Sequence, residues 1–230
     1  MLVKGAHLLP DSTGALVWPR HGLIAASDPV ATGGRDPASV TAALHGLARM
    51  LKRRRPAVIV WIGGGLAGAV AAGRLAGREA AELSRMVAAH RWIWVGDDLP
   101  DGLPGQSAAE WPVGPLTFRA AARRDAAAGE ISATPWPTAT IRAADRMLTC
   151  PCYVVDGRRL LLPAFGPRPG GVDVCSAPVQ TLFRRPFQAL LLSDGRILTR
   201  SRPQLAAPEG RETPPRAAAP GRMQLPPTAD

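Results

Sequence analysis

Aromatic residues make up only 5% of this 230-residue chain, with four Phe and one Tyr, so aliphatic side chains must supply most core volume. The six Trp then stand out as large anchors. Cysteine is scarce as well. Cys150, Cys152 and Cys175 form an odd set, and Cys150-Pro151-Cys152 lacks the C-x-x-C spacing of zinc and redox hairpins, so the three read as free or buried thiols. No run of roughly 18 apolar residues occurs, and the start of the chain lacks the basic region, apolar stretch of about 7 to 15 residues and cleavage site of a secretory signal. The expectation is a cytoplasmic protein with no membrane partner.

Acidic residues are also few: 18 Asp and Glu stand against 28 Lys and Arg, for a net charge of +10 and a pI near 11.2. Arginine carries almost all of that excess, since Lys4 and Lys52 are the only lysines. Such a field attracts phosphates, nucleic acid or acidic membranes. An arginine- and alanine-rich composition is equally what a GC-rich genome produces, so the charge alone does not choose between the two. With 46% hydrophobic and 20% charged residues the balance is globular. One domain is expected over residues 1–200, followed by a disordered Pro/Ala/Arg-rich tail over 201–230 whose low aliphatic content cannot offset the entropy of ordering.

Leu16 to Trp18 and Leu23 to Ala26 read as two strands joined by the tight turn Pro19-Arg20-His21-Gly22. Val40, Leu44, Leu47 and Leu51 recur three and four apart, which predicts a helix starting near Asp36-Pro37. The basic run Lys52 to Arg55 at its end has two readings, as a complement to the helix dipole or as a nucleic-acid patch. Ala57 to Ile62 and Trp92 to Val95 are continuous apolar runs that suit strands buried on both faces, with a helix predicted between them over Arg78 to His90. That order implies a parallel α/β layer. From Leu116 onward short strands alternate with turns, Asp156-Gly157 and Asp194-Gly195 among them, and the second half reads as mostly antiparallel.

Three segments in order, Gly14-Ala15-Leu16-Val17-Trp18-Pro19, Gly114-Pro115-Leu116-Thr117-Phe118-Arg119 and the long stretch from Cys152 to Gly166, resemble the ligase-associated members of the calcineurin-like metallophosphoesterases, a DNA damage response family. The resemblance runs from Asp11 to Thr199. It implies an α/β fold, a four-layer sandwich of two mixed β-sheets flanked by helices, with a two-metal site at the strand ends. Two-metal phosphoester hydrolysis needs carboxylates and imidazoles holding cations about 3.5–4 Å apart.

The matching positions have lost most of those donors. The family's Asp-x-His resembles Asp28-Pro29-Val30, where the carboxylate remains and Val30 cannot bind metal. Its Gly-Asp, which bridges the cations, falls on Gly63-Gly64. Its Gly-Asn-His-Asp falls on Gly96-Asp97-Asp98-Leu99, and the histidine after Thr-Phe-Arg falls on Ala120. The two imidazoles of Gly-His-x-His-Pro fall on Thr134 and Trp136. His7, His21, His45 and His90 lie outside every motif. The vestigial metal positions are therefore Asp28, Val30, Gly64, Asp97, Asp98, Ala120, Thr134 and Trp136.

The expectation is a non-catalytic relative without a cofactor, retained for binding nucleic acid or a DNA-repair partner. The alternative is a weak or altered phosphodiesterase or nuclease using Mn or Mg on Asp28, Asp97 and Asp98, which otherwise read as ordinary loop-tip aspartates. Trp136 either fills the vacated cleft or stacks on a base. Gly63 to Gly68 also fits G-x-G-x-x-G after a strand, but no acidic residue follows at about 20 positions as a dinucleotide site requires.

Overall fold

The computed structural model describes residues 1–29, 37–75, 77–97, 99, 104–166, 170–183 and 185–206, without the side chains of residues 37–40. A short hairpin of β1 (Leu2–Val3) and β2 (Ala6–His7) opens the chain. Next comes a six-stranded sheet of β3 (Leu9–Pro10), β4 (Leu16–Trp18), β5 (Leu23–Ser27), β6 (Val58–Ile62), β7 (Arg91–Val95) and β8 (Gln106–Ala108), side by side in chain order. β3 to β5 are antiparallel and β5 to β8 parallel. Parallel neighbours need long crossovers. These are α1 (Pro37–Arg54), between β5 and β6, and α2 (Gly65–Ala71) with α3 (Gly77–Ala89), between β6 and β7.

Strand alternation divides the central strands between two cores. Ile24, Ala26, Ile59, Trp61, Trp92 and Trp94 pack under the helices together with Leu44, Leu47 and Leu51 of α1, as the three-and-four spacing predicts. Leu23, Ala25, Val60, Ile62, Ile93 and Val95 face a second sheet. The expected anchors are real: Trp61, Trp92 and Trp94 are at most 1% exposed and sit with ring centroids 6.2 and 5.3 Å apart.

The second sheet has nine strands: β9 (Glu110–Val113), β10 (Leu116–Ala121), β11 (Glu130–Thr134), β12 (Pro137–Ala143), β13 (Arg146–Val155), β14 (Arg159–Leu161), β15 (Val172–Asp173), β16 (Gln188–Ser193) and β17 (Arg196–Ser201). β13 is long enough to change neighbours. Its first half pairs with β12 and its second half with β14 and β16. β10, β11 and β14 run parallel, within an otherwise mainly antiparallel half. Phe118, Ile131, Tyr153, Val155 and Leu160 fill the core between the sheets. On the outer side, Cys152, Val154, Ala189 and Leu191 pack against Val174, Val179, Leu182 and Phe183 from the segment carrying the short helix α4 (Ala177–Gln180). The result is a sandwich of two mixed sheets flanked by helices. Cys150 and Cys152 are buried, Cys175 is half-buried, and all three are free thiols.

Three differences from the sequence expectation are local. Gly65–Ala71, outside the helix predicted over Arg78 to His90, is the helix α2. Glu130–Thr134, not anticipated as a strand, is central to the second sheet. Residues 201–206, placed in the tail, finish β17 and form a 3-10 turn, and the Ala206 N–H donates to the Thr140 carbonyl at 2.8 Å. No helix among the described residues is long and apolar enough to cross a membrane.

Two polar ties lock the start of the chain to this frame. The Tyr153 hydroxyl, fully buried, shares its single proton between the carbonyls of Asp11 and Ala15, 2.8 and 2.6 Å away, and accepts from the Asp11 N–H at 3.2 Å. Asp11 is 4% exposed, and its Oδ2 accepts from Arg53 at 2.6 Å and Arg54 at 2.9 Å. The basic run thus anchors the C-terminal end of α1 to the β3–β4 turn. Burial alone would raise the Asp11 carboxyl, but hydrogen bonds from Arg54 and Thr13 and the charge of Arg53 outweigh it and hold it below the ordinary carboxylate range.

Tyr153→Phe removes the hydroxyl from this tie, while the Asp11 N–H still donates to the Ala15 carbonyl at 2.9 Å and the Gly14 N–H to the Asp11 carbonyl at 3.0 Å, so it should cost about 0.5–1.5 kcal/mol in urea unfolding. For Asp11 the sign follows from its depressed folded-state pKa. Its stabilisation is complete above the ordinary carboxylate value and is lost as pH falls through the folded value. Because both arginines are substantially exposed, Asp11→Asn should cost only about 1 kcal/mol at neutral pH. It should also flatten the acid limb of stability measured by urea titration at successive pH values.

Candidate functional site

The carboxyl ends of β5, β6 and β7 lie side by side, which is where a parallel layer gathers its loops. Backbone bonds hold them in register: the Asp28 N–H donates to the Ile62 carbonyl at 2.7 Å, Gly63 to Val95 at 2.8 Å and Gly96 to Ala108 at 3.0 Å. The backbones of Asp28, Gly63 and Gly96 therefore lie next to one another at the strand ends. The second sheet joins them at Ser27, whose carbonyl accepts from the Phe165 N–H at 3.0 Å, and which bridges Ala164 in parallel.

Asp28 is 1% exposed, and its Oδ2 accepts the Leu66 N–H at 2.6 Å. Leu66 lies in the first turn of α2, where backbone N–H groups have no partner within the helix. Gly64 occupies the N-cap position and has no side chain to satisfy them, so a carboxylate 38 residues upstream serves as the cap. Gly63 makes the approach possible. At φ +117° it adopts a conformation that side chains disfavour, and a Cβ there would lie 2.8 Å from the Asp28 Cβ. A carboxylate at the start of α2 also leaves no place there for a pyrophosphate, which removes the structural basis of the dinucleotide reading.

Trp136 enters from the connection between β11 and β12, and its Nε1 donates to the buried Ser27 Oγ at 2.7 Å. The indole thus sits against the end of β5, beside Asp28. Ser27 was not singled out from the sequence, and a buried serine closing the apolar run Leu23–Ala26 was the signal available. The remaining positions are less central. Ala120 packs against the inter-sheet core, Thr134 is exposed at the end of β11, and Asp97 is exposed at the end of β7. Val30 and Asp98 lie outside the described residues.

These residues do not fit a two-cation centre. Asp28 and Asp97 keep carboxylates, with Asp28 Oδ2 bonded to the Leu66 N–H, but Gly64 and Ala120 bring no donor atom, and an indole N–H has no lone pair to give a metal. Among the described residues no group of three or more His, Cys, Asp or Glu side chains converges in a way that could hold a metal ion.

No family model matches the chain, and no curated protein does. Among solved structures, nuclease MPE from Pseudomonas putida superposes with a TM-score of 0.60 over 86% of this chain and 98% of its own, at 21% identity. The chain shares the fold of a nuclease. That likeness extends to the whole sandwich and not just one layer, because it takes in nearly all of the nuclease chain.

Replacing the cap tests this geometry. Asp28→Ala should destabilise the fold by about 1–2 kcal/mol. It should also speed hydrogen exchange at the amides of Leu66 and Ala67 more than at those of β6. An active metal centre would instead predict unchanged or increased stability on removing its carboxylate.

Proposed function

We propose that this chain is a ligase-associated metallophosphoesterase relative that has given up hydrolysis and acts by binding nucleic acid in the cytoplasm, in the setting of DNA repair. The observation that carries the first part is the reuse of the strand-end site. The carboxylate that would start a metal centre caps α2, and the position of a metal-binding imidazole holds a tryptophan bonded to Ser27. Both changes serve packing, and neither leaves a donor set for activating water. Filling the cleft is therefore the role assigned to Trp136.

Three things support nucleic acid as the ligand: the net charge of +10, its near-complete dependence on arginine, and the nuclease that shares the fold. Guanidinium groups pair with phosphate oxygens through two donors at once, which lysine cannot do. The neutralised phosphates release counterions, so affinity for such a ligand depends steeply on salt.

Two measurements on the full chain test the proposal. With manganese or magnesium present, a nitrophenyl phosphodiester should show no turnover above that of the Asp28→Ala variant. Turnover abolished by that substitution would sink the non-catalytic reading and establish the weak Mn- or Mg-dependent phosphodiesterase instead. Fluorescence anisotropy with labelled DNA should show binding that weakens by about a thousandfold or more between 50 and 200 mM salt if roughly six or more phosphates are contacted. Absent or salt-insensitive binding would transfer the role to a protein partner.

A further inference from the structure

The strand-end site is not the only place where the fold gathers charge. On the outer face of the second sheet, Glu130 of β11 lies directly opposite Arg159 of β14, and Arg119 of β10 lies on the same face, opposite Ser132. Glu130 is 1% exposed and lies 3.5 Å from Arg119 Nη1 and 3.6 Å from Arg159 Nη1. Glu110 continues the network, 3.0 Å from Arg119 and 2.8 Å from Arg123.

Arg159 is the unusual member. It is 6% exposed, stands 6.0 Å from the centroid of the Phe183 ring, and its buried Nη1 has no hydrogen-bond partner. At 3.6 Å the Glu130 oxygen gives Coulomb attraction without a hydrogen bond.

A cavity of about 200 Å³ adjoins this residue, lined by Arg124, Arg158 and Arg159 together with Asp125 and Asp156. Arg124 and Arg158 are exposed at its rim and have no ion-pair partner among the described residues. Asp156 is already occupied. Its Oδ1 accepts the N–H groups of Arg158 and Arg159 at 2.9 Å each, closing the β13–β14 turn. Asp125 is exposed at the rim. Three guanidinium groups against these two carboxylates leave the lining positive, in a space that holds a tetrahedral oxyanion and several waters, each about 30 Å³ in the liquid.

We propose that this cavity binds a phosphoryl group, with Arg124 and Arg158 supplying charge at the mouth and the Arg159 guanidinium supplying positive charge from the wall. The site is separate from the strand-end cleft: it lies by the 122–129 connection and the 156–158 turn, whereas the cleft lies at the carboxyl ends of β5 to β7. It does not depend on the nucleic-acid reading, because a free phosphate ester and a nucleic-acid backbone present the same oxygens.

Inorganic phosphate titrated calorimetrically into the full chain at low ionic strength provides the test. Saturable binding is expected for the native chain and for an Arg78→Ser control. Arg124→Ser/Arg158→Ser should weaken it by about tenfold per guanidinium removed. Arg159→Lys keeps the charge, loses the planar donor fork and should weaken it by about tenfold. The double variant changes only exposed side chains, so it reads the site even if Arg159→Lys fails to fold. No saturable binding, or equal affinity in the double variant, overturns the proposal. A thymidine oligonucleotide added to the phosphate-bound protein distinguishes the sources. Displacement assigns the phosphoryl group to a nucleic-acid backbone, and retention of phosphate assigns it to a small ester, whatever the outcome of the DNA-binding measurement.

Discussion

The end of β5 is the joint on which the two halves of the molecule depend. Ser27 belongs to the first sheet, yet its carbonyl accepts from Phe165 and its hydroxyl from Trp136, both from the second half of the chain. One residue further on, Asp28 reaches across to hold the first turn of α2. Apolar packing between the sheets supplies most of the cohesion but has no direction of its own. These few polar bonds fix how the strand ends meet, and with that the shape of the cleft.

Buried acids recur in this role. Asp28 caps a helix, Asp11 receives two arginines from the end of α1, and Glu130 lies between Arg119 and Arg159. Removal from water raises an acid's pKa, and the outcome depends on what is gained in return. Direct hydrogen bonds bring Asp11 below the ordinary value, whereas around Glu130 burial prevails over more distant guanidinium groups and its carboxyl is pushed up. All three carboxylates join separate elements of the fold. The strand ends converge through backbone register and not through the side chains in the cleft.

Much of this architecture was legible in the sequence where the physical signal is local. The runs at Leu23, Val58 and Trp92 are strands because continuous apolar stretches of that length suit burial on both faces, and α1 follows from apolar residues three and four apart. Asp194-Gly195 turns β16 into β17 with both residues at positive φ, a conformation that this dipeptide favours. α2 was hidden because glycine lowers helix propensity and its cap comes from 38 residues away. β11 was hidden because Glu130 and Ser132 look exposed until arginines on neighbouring strands are placed beside them.

By itself, then, the sequence determined the alternation that sorts side chains into two cores and the order of helix and strand, and it put Gly64 and Ala120 where neither brings a ligand atom in any fold. Tertiary structure alone decided what the surviving groups do. The Asp28 carboxylate became a helix cap, the Trp136 indole became a bond to a serine 109 residues away, and Arg159 came to stand buried beside a cavity. Residue type limits which bonds a side chain is able to make. Which of them it makes depends on what the folded chain brings within about 3 Å of it, and that distance is not written in any local stretch of sequence.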